Sequence, residues 1–290
     1  MAQIDNTAAA AKRTQQWDST LLQARYANAR IMARFLNKSE MISGKGYIAH
    51  ITVEPSFAGG TVASDGGFTP ESQTLTDVQV TVDTWQYVSL EIPDDTDATT
   101  LGDLKKTLPR NFGKRLQELS DTAIAALYTE LTTNVGMGTV DSPMTNFDDD
   151  AARAAPLKLA DLNVPQEDVS FILPPIAWWK GLFSYDKFTL ANTTGFPKGV
   201  QTTGLKGNIY GFPGYETTLL SKPTGKPSVV GLFAHKEAFA CAFAINNKRD
   251  TARGTANYKL VTIEVVQQLF GVKTVRENHA VPLFISKTGN

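Results

Sequence analysis

The sequence predicts an α+β chain of elongated form, and three patterns carry that expectation. Over 109–131, Phe112, Leu116, Leu119, Ala123, Leu127 and Leu131 recur three and four residues apart, the period of one buried helix face. At about 1.5 Å per residue this is a rod of about 35 Å. Near the C-terminus Val261, Ile263 and Val265 alternate with Thr262 and Glu264, and strand character resumes from Leu269 to Val275 beyond an expected bulge at Gln267 and Gln268. Continuous, that strand would run roughly 50 Å, more than twice the usual length. The third pattern is the stretch FAGGTVASDGGFTPESQTLTD at 57–77, a long glycine-bearing connection between strand-like segments. Loops of that length belong to binding loops or extensions more often than to compact cores.

The remaining elements follow in order. Leu21, Leu22, Ile31, Met32, Phe35 and Leu36, with Arg25, Arg30 and Arg34 between them, read as an amphipathic helix or helical pair over 17–36. Residues 47–53 are strand-like, and Val78, Val80 and Val82 alternate strictly with Gln79, Thr81 and Asp83. Val88, Leu90 and Ile92 mark a third strand of the same arm, ended by Pro93. Pro109 suits the opening of the long helix, and residues 134–138 its end. After an acidic linker at Asp148, Asp149 and Asp150, VSFILPP reads as a buried strand, followed by a short helix carrying Trp178, Trp179 and Phe183. GNIYGFPGYETTLL holds two short strands about a Gly-Pro turn, and residues 229–233 form another strand that runs into KEAFACAFA as helix or strand.

Composition narrows the function. With 42% hydrophobic and 20% charged residues and a net charge of −1, nothing global draws the chain to nucleic acid or membrane. No apolar run approaches the roughly 20 residues of a membrane span, and the opening residues lack the apolar centre of a secretory signal, so synthesis in a cytoplasm is expected. Cys241, the single cysteine, excludes an internal disulfide and reads as a small buried apolar residue. Charge is uneven: residues 1–45 carry seven Lys or Arg against three carboxylates, whereas 46–104 carry ten carboxylates and no Lys or Arg. Pairing of this acidic flap with the basic arm, within one chain or between chains, follows naturally.

Catalytic and cofactor chemistry finds no support. The glycine stretch leads into a strand and has no lysine before Lys105, whereas a phosphate cradle needs a short strand-to-helix turn. GKPS at 225–228 lacks the upstream glycine, and its proline removes a donor. His50, His235 and His279 lie in strand-like contexts with no Gly-x-Ser-x-Gly elbow and read as structural histidines. The runs Asp94, Asp95, Asp97 and Asp148, Asp149, Asp150 lack the loop glycine and distal glutamate of a calcium site and read as solvated turns, and zinc spacing is absent. Lys105, Lys106, Arg110, Lys114 and Arg115 gather near the start of the long helix, where they fit either phosphates without sequence preference or an acidic neighbour. No enzyme activity, cofactor or metal is expected.

The order of elements, a basic helical arm, an acidic β-arm with a glycine-bearing tip, a spine helix, a compact middle domain and a closing long strand, resembles the major capsid protein of tailed bacteriophages, the Hong Kong 97-type fold shared with herpesvirus shells. GNIYGFPGYETTLL, LFAHKEAFACAFA and VTIEVVQQLFGVKTVRENHAVPLF are similar to segments of that family, and the resemblance runs over about 17–285. It implies an N-terminal arm over 1–45, an extended loop over 46–93, a peripheral domain with the spine helix over 101–156, an axial domain over 157–256, and closing peripheral strands over 257–290. It also implies an icosahedral shell of pentamers and hexamers around double-stranded DNA, a virion coat assembled in the host cytoplasm, with scaffolding, portal and possible decoration partners. In that reading Phe57, Gly59, Gly60, Gly66, Gly67 and Phe68 form an intersubunit tip. Arg25, Arg30 and Arg34 pair with Glu54, Asp65 and Glu71, and Lys105, Lys106, Arg110, Lys114 and Arg115 face DNA or a neighbour. The loop has no lysine for an isopeptide weld, and only sixteen residues precede Trp17, which points to a separate scaffolding protein or none. The other readings are an encapsulin-like cargo shell and, from a different class, a Gly-rich β-protein acting as hydrolase or carbohydrate-binding module.

Overall fold

The structure, a computed structural model, describes residues 31–42, 47–55, 57–62, 64, 66–68, 70–93, 104–184, 205–253 and 261–287. In chain order its strands are β1 (Leu36–Asn37), β2 (Ile48–Val53), β3 (Thr76–Thr81), β4 (Thr84–Pro93), β5 (Val169–Leu173), β6 (Leu205–Ile209), β7 (Phe212–Glu216), β8 (Ser228–His235), β9 (Phe239–Arg253), β10 (Val261–Thr274) and β11 (Ala280–Ser286). Two long helices, α1 (Leu104–Ala126) and α2 (Asp149–Asp161), lie between β4 and β5.

Three sheets result. One has the order β1-β9-β10-β4, a second β11-β8-β5-β7-β6, and β2 pairs with β3 as a separate hairpin. The long strands β9 and β10 run antiparallel, from Thr262 opposite Arg253 to Thr274 opposite Phe239, with register shifts around Gln267, Leu269 and Phe270. The expected bulge therefore falls where the paired glutamines suggested. Strand β4 differs from expectation. It pairs with β10 from Thr84 opposite Phe270 to Pro93 opposite Val261, so it belongs to the long sheet and not to the arm. Alternation placed Val88 on the packed face, although Leu90 of the same parity is exposed, and a strand's partner is a long-range property that local pattern does not carry.

Helix α1 covers one face of the long sheet. Phe112 and Leu116 pack with Val266, and with Val88 and Leu119 at the margin. Between them Gln268, 1% exposed, donates its amide to the Leu116 carbonyl at 2.9 Å and to Gln86 Oε1 at 3.2 Å, so a polar side chain is satisfied under the helix. The helix starts at Leu104 and gives way to a 3-10 turn at Leu127–Glu130, so Pro109 sits inside it rather than at its start. The covered face of β10 carries Glu264, Val266, Gln268 and Phe270, not the valine–isoleucine face that hydropathy selects. Burial of Glu264 is possible because Arg249 Nε and Thr251 Oγ1 each donate to Glu264 Oε2 at 3.0 Å.

The second sheet buries β5 and β8 completely and is closed by α2 and by a π-helical turn at Ala177–Gly181. Helix α2 occupies the stretch read as an acidic linker. The Asp148 side chain accepts from the Ala151 N–H at 2.9 Å, and Asp149 and Asp150 stand in the first turn, where carboxylates offset the helix dipole. Ala151, Ala152, Ala155 and Leu159 pack into the core, and Pro156 is tolerated within the helix. The β6–β7 turn is Tyr210-Gly211, both in left-handed backbone (φ 51° and 89°), so the expected turn keeps Gly211 while Pro213 lies within β7.

Candidate self-assembly surface

Residues 31–42 thread between the two main sheets. Asp121 on α1, 2% exposed, accepts from the N–H groups of Ile31 at 2.7 Å and Met32 at 2.9 Å, fixing a 3-10 turn over Met32–Arg34. Phe35 meets Phe239 edge-on at 4.9 Å, and β1 then pairs in parallel with β9, Leu36 opposite Ala240. Ser39 Oγ accepts from the Phe243 N–H at 3.0 Å. The expected amphipathic helix is therefore extended chain and 3-10 turns over its described part; Arg25 and Arg30 lie outside the described residues.

The arm is the β2–β3 hairpin, with Ile48 opposite Thr81 and Val53 opposite Thr76. Its root is anchored by Ala49, Val80 and Val82 packing on Ala240 and Ala242, and Val82 donates to the Tyr47 carbonyl at 2.8 Å. Here β3 ends against Gly271 of β10, where a Cβ would stand 1.9 Å from the Thr81 carbonyl oxygen. Further out, His50 Nδ1 and Asp77 Oδ2 lie 2.7 Å apart, and this contact, followed by the Gln79 amide, holds the Asp77 carboxyl below its usual range. The tip presents Phe57 and Phe68, 72% and 75% exposed. Gly59 and Gly66 adopt φ of 69° and 81°, which side chains resist, while Gly60 has open space on its Cβ side. The Ala58 N–H donates to Glu71 Oε2 at 3.1 Å across the loop.

The sequence-selected residues are thus only partly brought together. Phe57, Gly59, Gly60, Gly66, Gly67 and Phe68 share the tip, and Asp65 lies outside the described residues. Among the described residues, Arg34 is not paired with Glu54 or Glu71; its guanidinium carbon stacks 4.1 Å from the Tyr215 ring centroid and Nη1 donates to the Tyr215 hydroxyl at 2.9 Å. Lys105, Lys106 and Arg110 fall on the first turns of α1, with side chains outside the described part, Lys114 is half-buried, and Arg115 bonds Glu118 at 2.8 Å.

Sequence reading missed two aromatics that the fold exposes. Trp85 and Tyr87, each 68% exposed, project from β4, the edge of the long sheet, on the face away from α1. Trp85 Nε1 donates to Gln267 Oε1 at 3.0 Å, which fixes the indole with its apolar face outward. The signal is present in the sequence: alternation through Val88, Leu90 and Ile92 leaves Trp85 and Tyr87 on the opposite parity. Large aromatics on the solvent parity of an edge strand mark an association surface. Trp179, 65% exposed, is similarly held by Glu216 Oε1 at 3.3 Å and by Phe183.

Other chemistry is sparse. No cluster of three or more metal-ligating side chains occurs among the described residues, and no helix there is long and apolar enough to cross a membrane. Cys241 is buried as expected, and burial pushes its thiol up to about 12. His279 lies 5.7 Å from His235, and burial, with Arg276 and His235 adding repulsion, lowers it to about 4.

No family model and no curated protein matches the chain. Solved structures do. A structure of Mycobacterium phage Che8 aligns with TM-score 0.71 and 21% identity over 96% of this chain and 98% of that one. The capsid structure of cyanophage P-SCSP1u aligns with TM-score 0.69 and 14% identity over 95% and 94%. The capsid of a native GTA particle aligns with TM-score 0.69 and 10% identity over 98% and 100%. Alignment over nearly the whole of both partners establishes that this chain has the Hong Kong 97-type fold of phage capsids.

Proposed function

We propose that this chain is the major capsid protein of a tailed bacteriophage, a non-enzymatic subunit that assembles with copies of itself into the shell around double-stranded DNA. The observation that carries the reading is the alignment over 94% and 100% of the length of two capsid structures. The surface agrees with it: a hairpin arm ends in exposed phenylalanines, and an edge strand carries exposed tryptophan and tyrosine, apolar groups that a solitary soluble molecule gains nothing by displaying. In the shell, the hairpin arm within the expected 46–93, up to the end of β3, serves as the extended loop reaching a neighbour, while β4 stays in the long sheet. A peripheral part built on α1 and the long sheet adjoins an axial part built on α2 and the second sheet, so β9 and β11 each cross the expected bounds of 101–156, 157–256 and 257–290. Scaffolding, portal and decoration proteins are its natural partners, and DNA is met without sequence preference. The test is direct. Purified chain, alone or with a scaffolding protein from the same genome, forms closed particles in electron micrographs; a monomer at every concentration and ionic strength tried would overturn the proposal.

A further inference from the structure

Arg34 is held in a manner that leaves half of its guanidinium unused. The Asp121 carboxylate fixes the backbone of the preceding turn, the Tyr215 ring supports one face of the guanidinium, and Nη1 is committed to the Tyr215 hydroxyl. What remains is the Nε–Nη2 edge, the side-on fork that matches a carboxylate, and Nε is buried with no hydrogen-bond partner among the described residues. A buried donor without an acceptor is destabilising, so an arrangement this well supported is unfinished as it stands. Arg34 lines a cleft of about 250 Å³ between the N-terminal segment and the second sheet, together with Lys236, Ser170, Tyr215 and Asp168. Lys236 Nζ lies 3.9 Å from Asp168 Oδ2, a long contact with both side chains largely exposed, so Lys236 can turn to a better acceptor.

We propose that this cleft is a carboxylate-binding site completed by a second copy of the chain, with Glu54 of that copy as the group bound. The inference rests on the shell reading for its partner, and on the cleft alone for its chemistry. Charge points to the acidic flap: residues 46–104 hold ten carboxylates and no cation, so the flap cannot neutralise itself. Within it Glu71 already accepts from Ala58 and Asp77 is held by His50, whereas Glu54 is exposed at the end of β2 with no partner among the described residues. A glutamate side chain fits the volume, and a bidentate pair on Arg34 would satisfy the orphaned Nε.

The probe is a fluorescein-labelled peptide of residues 54–75, titrated by anisotropy against the unassembled full-length chain. Arg34→Ala and Lys236→Ala each weaken binding, the former at least tenfold, and a peptide with Glu54→Gln loses affinity to the same extent. Arg34→Lys recovers only part of it, because a lysine keeps the charge without the fork. In shell assembly, Arg34→Glu lowers particle yield at least tenfold and the double variant Arg34→Glu/Glu54→Arg recovers most of it. Equal peptide affinity for the unaltered chain and Arg34→Ala, with both folded by circular dichroism, overturns the proposal. So does binding of inorganic phosphate or a short DNA duplex that depends on Arg34 while the peptide does not bind, since the cleft would then serve phosphate. If the unaltered chain never forms shells, the shell reading fails, and the peptide titration on the unassembled chain still decides the cleft.

Discussion

Replacing Gly271 by alanine tests whether the arm is seated where the long sheet and the hairpin cross. The added Cβ would lie 1.9 Å from the Thr81 carbonyl oxygen, 2.7 Å from its carbon and 3.0 Å from Val82 Cα. Bringing the first contact to an ordinary 3.4 Å requires a shift of about 1.5 Å. All three obstacles are backbone, so no rotamer change relieves them. Either β3 moves off β10, uncovering Val80 and Val82, which are 0% and 2% exposed, or β10 bends at the bulge next to Phe270. Overpacking of this kind costs about 1–3 kcal/mol, and an obstacle made of main chain belongs at the upper end. With a urea dependence near 3 kcal/mol per molar, the unfolding midpoint of the unassembled chain falls by about 1 M. Gly60→Ala is the control, because its Cβ meets nothing within 4 Å; its stability stays within about 0.5 kcal/mol of the original. A Gly271→Ala midpoint as high as that of the control would show that the arm root is not packed on the long sheet as described.

Three further outcomes are expected. Trp85→Ser with Tyr87→Ser leaves the unassembled chain folded and within about 0.5 kcal/mol of its original stability, since both side chains are exposed, but abolishes closed particles; normal particles in micrographs would remove this face from the assembly surface. Deleting 58–69 shortens only the tip and leaves the hairpin register from Ile48 to Thr81 intact, so circular dichroism is preserved while complete shells are lost, and unimpaired shells would contradict the role of the tip. His279 is lowered to about 4 in the folded chain against about 6.5 when unfolded, so the unfolded chain binds more protons between those values. Its contribution is full above pH 6.5 and is lost as pH falls toward 4, about 1–2 kcal/mol after allowance for solvent screening of a half-exposed ring. Denaturation of His279→Gln between pH 7 and 4.5 shows a correspondingly shallower decline, and identical slopes would refute the assignment.

Local pattern disclosed those parts of the fold whose causes are local. The spine helix announced itself through Phe112, Leu116 and Leu119, and the bulge in β10 through two consecutive glutamines interrupting an alternation. What escaped depends on distant partners. Strand β4 was assigned to the arm because Val78–Val82 precede it, yet its mate is β10, far along the chain. Alternation of Val261, Ile263 and Val265 with Thr262 and Glu264 gives no sign that Glu264 is buried, because a carboxylate seldom is, and only Arg249 and Thr251 on the adjacent strand make it tolerable. Helix α2 is hidden for a different reason: Asp148 and the acids after it are as typical of a linker as of an N-cap, and Pro156 falls inside the helix that follows. For the surface, glycines and phenylalanines identified the tip, whereas Trp85 and Tyr87 drew no notice until their strand was seen to be an edge.

Helix α1 is seated twice: Leu116 belongs to the packing under the long sheet, and Ile124 and Ala125, little more than two turns on, to a separate cluster with Leu232 and Ala234 of β8. A shaft keyed into two bearings cannot rotate in one without turning in the other. Torque delivered by a neighbour pulling at one end is therefore handed on to the far sheet as a rigid twist rather than dissipated in a flexible joint.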